Sequence, residues 1–75
     1  MTPEQFRQAR SLLEWSQEEL AARACVHVEA VRRLEDGKKG VRLLHRAYIL
    51  FALAAAGVEM ADDGNMQLKG KPALR

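Results

Sequence analysis

Six basic side chains lie between positions 26 and 46, and only three acidic ones accompany them. The basic residues are Arg32, Arg33, Lys38, Lys39, Arg42 and Arg46. Residues 1–25 have a charge balance of −1 and residues 47–75 a balance of zero, so this central segment is the source of the net charge of +2. Such a concentration is what a surface that binds a polyanion requires, although a solvated helix face gives the same pattern.

Residue patterns that support catalysis or metal binding are missing from the sequence. It contains no Ser/His/Asp set, no paired catalytic carboxylates, no phosphate loop and no metal-ligand spacing, so we expect neither an enzyme nor a metal or other cofactor. His27 and His45 lack carboxylate or thiol partners at ligand spacing. Cys25 is the single cysteine, which excludes an intrachain disulfide. We expect it to be a small buried apolar residue rather than a redox switch.

The length and composition predict one small folded domain. The chain has 75 residues, of which 48% are hydrophobic and 29% charged. Its first residues have neither the basic flank nor the apolar stretch of a signal peptide. The longest charge-free run, Ala47 to Val58, has twelve residues and is too short to cross a bilayer. We therefore expect a cytoplasmic protein that does not contact a membrane.

Four helices are predicted from capping residues and from apolar residues at helical spacing. Their expected ranges are 3 to about 14, 17–24, 28–35 and 41–56. Thr2 and Ser16 each begin a capping box, and Gly37 and Gly57 end the last two helices. The short connection 25–27 between the second and third helices predicts a helix-turn-helix arrangement.

The hydrophobic period changes from helical to alternating after Gly57. Apolar residues alternate with other residues at 58–61 and at 66–69, and the intervening Asp62-Asp63-Gly64-Asn65 is a turn signal. This pattern predicts two short strands, most simply a β-hairpin. The expected organisation is a helical domain over 1–57, a strand extension over 58–69 and a tail over 70–75.

The segment from Ser16 to Gly37, SQEELAARACVHVEAVRRLEDG, resembles the lambda-repressor-like, or Cro-like, helix-turn-helix family, also called the xenobiotic response element family. The matching residues are Ser16, Gln17, Glu19, Leu20, Ala21, Ala24, Val31, Leu34, Glu35 and Gly37. The resemblance extends over about residues 3–57. It implies an all-α fold, namely a compact four-helix domain, and the C-terminal β-hairpin or strand extension is an addition to it. The resemblance also implies binding to double-stranded DNA.

The resemblance implies that the third helix enters the major groove of DNA. Val31 and Leu34 are expected to face the core, which leaves the opposite face of this helix for base contacts. The expected base-contacting residues are Val28, Glu29, Arg32 and Arg33. Arg33 suits two hydrogen bonds to guanine, and Glu29 suits the cytosine amino group. Glu29 has an alternative role as the i,i+4 partner of Arg33.

The resemblance also implies contacts with the DNA backbone and one structural ion pair. The expected backbone-contacting residues are Gln17, His27, Lys38, Lys39 and Arg42, with Arg46 a less well placed candidate. The minor groove is an alternative contact for the three loop residues Lys38, Lys39 and Arg42. Arg10 and Glu35 match positions that form a salt bridge in some family members. Cys25 stands where the family often has glycine with a positive φ, a conformation in which a Cβ costs about 1 kcal/mol. Either the turn differs slightly here or better packing of Cys25 offsets the strain.

A last set of apolar residues is expected to contact a second copy of the chain. The fourth helix has apolar residues on more faces than one core-facing stripe needs, and an isolated two-stranded hairpin is marginal in water. The expected dimer residues are Leu50, Phe51, Ala54, Val58, Met60, Met66 and Leu68. The alternative is that the hairpin folds back on its own last helix.

The sequence therefore predicts a sequence-specific DNA-binding transcriptional regulator of bacterial or phage type. Repression as a homodimer is the expected mode of action. One alternative is the antitoxin of a toxin–antitoxin pair, whose apolar surface would contact a toxin protein. Another is a protein-interaction module whose helix-turn-helix no longer binds DNA, which Glu29 and the modest net charge favour.

Overall fold

The computed structural model describes residues 1–70, which form four helices and a two-stranded antiparallel sheet. The elements are α1 (Pro3–Leu12), α2 (Gln17–Ala24), α3 (Val28–Asp36), α4 (Leu43–Ala55), β1 (Val58–Met60) and β2 (Met66–Leu68). The predicted fold class is confirmed, because four helices are followed by a short C-terminal hairpin. The part of the predicted tail beyond Gly70 lies outside the described residues.

The first and last helices, α1 and α4, are shorter than predicted. Helix α1 ends at Leu12 because Glu14 adopts a left-handed conformation with a φ of 59°, which no helix can continue through. Helix α4 begins at Leu43, since Arg42 before it is extended. The N-terminal caps explain why α1 and α2 begin where predicted. Thr2 forms the expected capping box, and the Ser16 hydroxyl accepts the backbone N–H of the third residue of α2 at 3.0 Å.

One core collects side chains from every element. The buried apolar residues are Phe6, Ala9, Leu20, Ala21, Ala24, Ala30, Val31, Leu34, Ile49, Leu53, Val58 and Met66. Burial of each of the largest, Phe6, Leu20 and Ile49, contributes about 1.5–3 kcal/mol. Ala21 is buried on α2, the helix that packs against both α3 and α4. Val31 and Leu34 face inward as expected, which fixes the rotation of α3 about its own axis.

The hairpin pairs within one chain and packs on its own helices. Val58 lies opposite Leu68, and Met60 lies opposite Met66. Strand β1 contacts α4 and β2 contacts α1. Two glutamines of α1 bind the hairpin: Gln5 Nε2 donates to the Gly64 carbonyl at 2.9 Å, and Gln8 Oε1 accepts the Met66 N–H at 3.0 Å. The hairpin therefore folds back on its own last helix, as in the alternative given above, and on α1 as well.

The turn between α2 and α3 is a Schellman motif centred on Cys25. The Cys25 N–H donates to the Ala22 carbonyl at 3.2 Å, and the Val26 N–H donates to the Ala21 carbonyl at 3.0 Å. Cys25 has a φ of 59°, so the turn keeps the left-handed conformation and does not differ from the one that glycine often adopts at this family position. Its side chain is exposed, so the expectation of a buried cysteine is wrong. The reason is that the left-handed residue lies outside the helix end, while Val26 packs against the core instead.

We expect Cys25→Gly to raise the free energy of unfolding by about 0.5–1 kcal/mol, because glycine adopts a positive φ without a Cβ penalty. Urea denaturation followed by circular dichroism measures this change. Cys25→Ala is the control, since it keeps the Cβ and removes only an exposed sulfur, and its unfolding midpoint should be nearly unchanged. A destabilised Cys25→Gly variant would contradict the assignment of backbone strain to this turn.

Candidate nucleic-acid interface

The outer face of α3 is polar and accessible. Glu29, Arg32 and Arg33 are exposed on it, while the opposite face of the helix is buried. Val28 is only half-buried and packs against the edge of the core. The structure therefore places the three charged members of the predicted base-contacting set on one accessible surface, and Val28 at its margin.

The position of α3 is fixed by an ion pair between Arg10 of α1 and Glu35. Arg10 Nε donates to Glu35 Oε2 at 2.7 Å and Nη2 donates to Oε1 at 2.9 Å, which is the bidentate geometry that guanidinium and carboxylate groups favour. Glu35 is only 2% exposed, and its hydrogen bond raises the pKa of Arg10. Arg10 Nη1 also donates to the Trp15 carbonyl at 3.0 Å, and Arg7 donates to the Glu35 carbonyl. The expected salt bridge is present and joins α1 to α3.

Gln17, the first residue of α2, shares this buried carboxylate. Its Nε2 donates to Glu35 Oε1 at 3.1 Å, so the side chain is directed by the ion pair. One amide hydrogen remains for another acceptor, beside the free backbone N–H groups at the start of α2. Sequence reasoning gave Gln17 a role with phosphate only, and its bond to Glu35 is an additional finding.

The two arginines of α3 are paired with acidic side chains. Arg32 Nη2 lies 3.3 Å from Glu18 Oε2 of α2, and Arg32 Nη1 lies 3.7 Å from Glu29 Oε1. Arg33 Nε lies 3.7 Å from Glu29 Oε2, the i,i+4 contact given as the alternative role of Glu29. Glu18 was not among the predicted site residues, because its approach to Arg32 depends on how α2 crosses α3. No local spacing in the sequence indicates it.

The loop after α3 presents its basic side chains to solvent. Lys38, Lys39 and Arg42 are exposed, and within residues 1–70 none of the three forms an ion pair. Arg33 Nη1 donates to the Lys39 carbonyl at 3.3 Å, which ties this loop to the outer face of α3. Arg46 is held elsewhere, because it donates to the Met1 carbonyl at 3.0 Å and lies over the Phe6 ring.

His27 precedes α3 and is exposed. Its side chain makes no capping bond within the described part of the chain, as expected from the absence of Ser or Thr at this position. The imidazole is therefore accessible beside the N-terminus of α3.

Comparison with protein families agrees with this geometry. The sequence model of a helix-turn-helix family matches residues 6–44, slightly more than half of the chain. This chain belongs to the lambda-repressor/Cro-like helix-turn-helix family. Its members are DNA-binding regulators, and the match includes all of α2 and α3. No curated protein gives a significant match to the sequence.

Residues 1–70 of this helix-turn-helix protein contain no helix suited to span a membrane and no metal-ligand cluster. None of its helices has the length and apolar character needed to span a bilayer. In the same residues, no three His, Cys, Asp or Glu side chains are grouped as a metal site.

The predicted dimer residues of the helix-turn-helix protein separate into three groups by exposure. Val58 and Met66 are buried in the core of their own chain, because the hairpin packs on α1 and α4, and they are withdrawn from the predicted interface. Leu50 and Leu68 are half-buried and pack against that core. The accessible ones are Phe51, Ala54 and Met60.

A continuous apolar surface covers the outside of α4. It consists of Leu43, Leu44, Ala47, Tyr48, Phe51, Ala54 and Ala55, which are all the exposed residues of the helix. We call it the α4 outer face. Leu43 is 83% exposed and Phe51 73%. Cavities of about 240 and 390 Å³ lie on either side of Phe51, between α4 and the end of α2. The predicted set did not include the exposed leucines or Tyr48, although the absence of charge along this stripe indicates an apolar surface.

We expect Arg10→Met to lower the free energy of unfolding by about 3 kcal/mol, because it leaves the buried Glu35 carboxylate without its cation. Urea denaturation measures the change. The control is Glu4→Gln, which removes the exposed Glu4–Arg7 pair and should cost no more than about 1 kcal/mol. Equal midpoints for Arg10→Met and the wild type would show that the ion pair does not hold α3 in place.

Proposed function

We propose that this protein is a sequence-specific transcriptional repressor of bacterial or phage type that binds double-stranded DNA in the cytoplasm as a homodimer. The observation that carries the proposal is the exposed face of α3, which presents Arg32 and Arg33 and is joined by Arg33 to the basic loop that ends at Arg42. A helix with this surface fits the major groove, and the loop fits the adjacent phosphates.

Base recognition is assigned to the outer face of α3. Arg33 donates two hydrogen bonds to guanine O6 and N7, and Arg32 contacts either a base or a phosphate. Glu29 accepts from a cytosine amino group, and Val28 contacts a thymine methyl from the margin of the face. Each bidentate contact of this kind discriminates against a wrong base by about 1–3 kcal/mol.

Phosphate contacts are assigned to residues on both sides of α3. The assignment of Lys38, Lys39 and Arg42 to phosphates is supported by their exposure and by their lack of ion pairs within residues 1–70. Gln17 contacts a phosphate through its second amide hydrogen and the N-terminus of α2. His27 approaches the backbone at the N-terminus of α3.

The α4 outer face is the proposed dimer contact. Phe51, Tyr48 and the two leucines expose on the order of 500 Å² of apolar surface, similar to the largest patch on a typical monomer. Two copies face to face bury on the order of 1,000 Å², which is the lower limit for a specific interface. Ala54 belongs to this face. Met60 is also exposed and stays in the proposed contact, although its sulfur lies 3.9 Å from Gln5 Nε2 of α1. A dimer also places two recognition helices on successive turns of DNA.

The same face supports a second candidate function. An antitoxin of this fold would use the apolar surface of α4 to bind a toxin protein instead of a second copy. The two candidates differ in what covers Phe51, and the composition of the purified particle distinguishes them.

Arg33→Ala and Lys38→Ala are expected to change DNA binding in different ways. Arg33→Ala should relax the preference at one base pair in sequences selected from a random library, because a base contact is lost. Lys38→Ala should lower the affinity for all DNA sequences alike, because one phosphate contact is lost. It should also reduce the magnitude of the slope of log affinity against log salt concentration by about 0.9. If Arg33→Ala also lowers the affinity for all DNA sequences alike, Arg33 contacts a phosphate and not a base. A wild-type chain that binds no DNA sequence would refute the proposed function.

We expect the wild-type protein to be a dimer at micromolar concentration without DNA, and Phe51→Ser to be a monomer, because the central apolar contact is removed. Size-exclusion chromatography with light scattering measures both masses. Leu12→Ser is the control, since Leu12 is an exposed apolar residue of α1, away from the α4 outer face. A monomeric wild type would refute the homodimer. A stable complex with a second small protein, lost in Phe51→Ser, would support the antitoxin function.

A further inference from the structure

We propose that Glu18 and Glu29 neutralise the arginines of α3 in the free protein, and that this weakens binding to DNA lacking the operator sequence. Glu18 is then a specificity-determining residue although no base contact is assigned to it. The inference rests on the proposed DNA-binding function, and it concerns how the same surface distinguishes operator from other DNA.

The geometry places one guanidinium between two carboxylates from different helices. Arg32 lies 3.3 Å from Glu18 of α2 and 3.7 Å from Glu29 of α3. Glu29 is also 3.7 Å from Arg33, so the four side chains form one chain of alternating charge. All four are 45–66% exposed, so they are accessible to a ligand.

The charge of this group differs from that of the neighbouring loop. Its two arginines are balanced by two carboxylates, and the outer surface that would enter the groove is therefore neutral. The loop cations have no such partners among the described residues, so they provide the attraction to phosphate. Base recognition and phosphate attraction are thus carried by different surfaces.

Binding to arbitrary DNA gains little from a neutral surface. When Arg32 turns to a phosphate, it exchanges a carboxylate for another anion, and Glu18 is left near the negatively charged backbone. At an operator, Arg33 gains neutral acceptors on guanine and Glu29 gains a donor on cytosine. The carboxylates therefore penalise non-specific contacts more than specific ones, and they raise the ratio of the two affinities.

The decisive experiment compares wild type, Glu18→Gln and Glu19→Gln on two duplexes over a range of salt concentrations. One duplex is selected by the wild-type protein from a random library, and the other has the same bases in scrambled order. Glu19→Gln is a matched control because it makes the same charge change in the first turn of α2, where Glu19 pairs with Arg23 instead of α3.

For Glu18→Gln we expect affinity for the scrambled duplex to rise about fivefold, and the salt slope to steepen by about 0.9, because Arg32 becomes available to one more phosphate. Affinity for the selected duplex should rise less, so the specificity ratio falls. Glu19→Gln should leave this ratio unchanged. In an Arg32→Gln background, Glu18→Gln should lose its effect on the salt slope. Glu29→Gln is a second variant, and we expect it to raise the affinity for the scrambled duplex by the same factor.

Wild-type binding to the selected duplex combined with an unchanged specificity ratio in Glu18→Gln would overturn this inference and leave the proposed function intact. Equal effects of Glu18→Gln and Glu19→Gln would also overturn it, because net charge alone would then explain the result. A wild-type protein that binds neither duplex would overturn the proposed function, and the inference with it.

Discussion

The buried bond between Arg10 and Glu35 is the interaction on which the functional surface depends. It joins α1 to the last turn of α3, and the same carboxylate accepts a hydrogen bond from Gln17 at the start of α2. A charged group that is 2% exposed is tolerated only when its hydrogen-bonding capacity is satisfied, so these helices cannot shift independently. One polar centre therefore sets the position of the proposed recognition helix and of the α2 N-terminus beside it.

The charged surface and the apolar surface of the molecule lie on different helices, α3 and α4. The outer face of α3 is charged but locally balanced, and the loop after it carries unpaired cations within the described residues. The α4 outer face is apolar and has no charged residue among its exposed positions. The hairpin reinforces this separation, because it buries Val58 and Met66 in the common core and leaves α4 open. A chain this short thus presents a polar surface and an apolar one around a single core.

Much of the helix-turn-helix arrangement was predictable because its signals are local. Caps at Thr2 and Ser16 and the glycine at position 37 defined helix ends, and the apolar spacing of α3 fixed which side faced inward. The errors have physical causes. Cys25 was expected to be buried because free cysteine usually is, but a left-handed residue at a helix end lies outside the packing surface. Val58 and Met66 were assigned to a partner because local sequence signals do not show that the hairpin packs on α1 and α4.

The sequence by itself determined the elements, the family resemblance and the side of α3 that carries charge, because caps, turns and helical periodicity act over a few residues. Only the tertiary structure decided which acids meet which arginines and which apolar residues stay exposed. Glu18 reaches Arg32 because two helices cross, across fourteen positions of sequence. Phe51 remains exposed because Ile49 and Leu53 of the same helix face the core, which leaves the Phe51 side of α4 outward. Such contacts depend on the packing of whole elements, which local sequence signals do not encode.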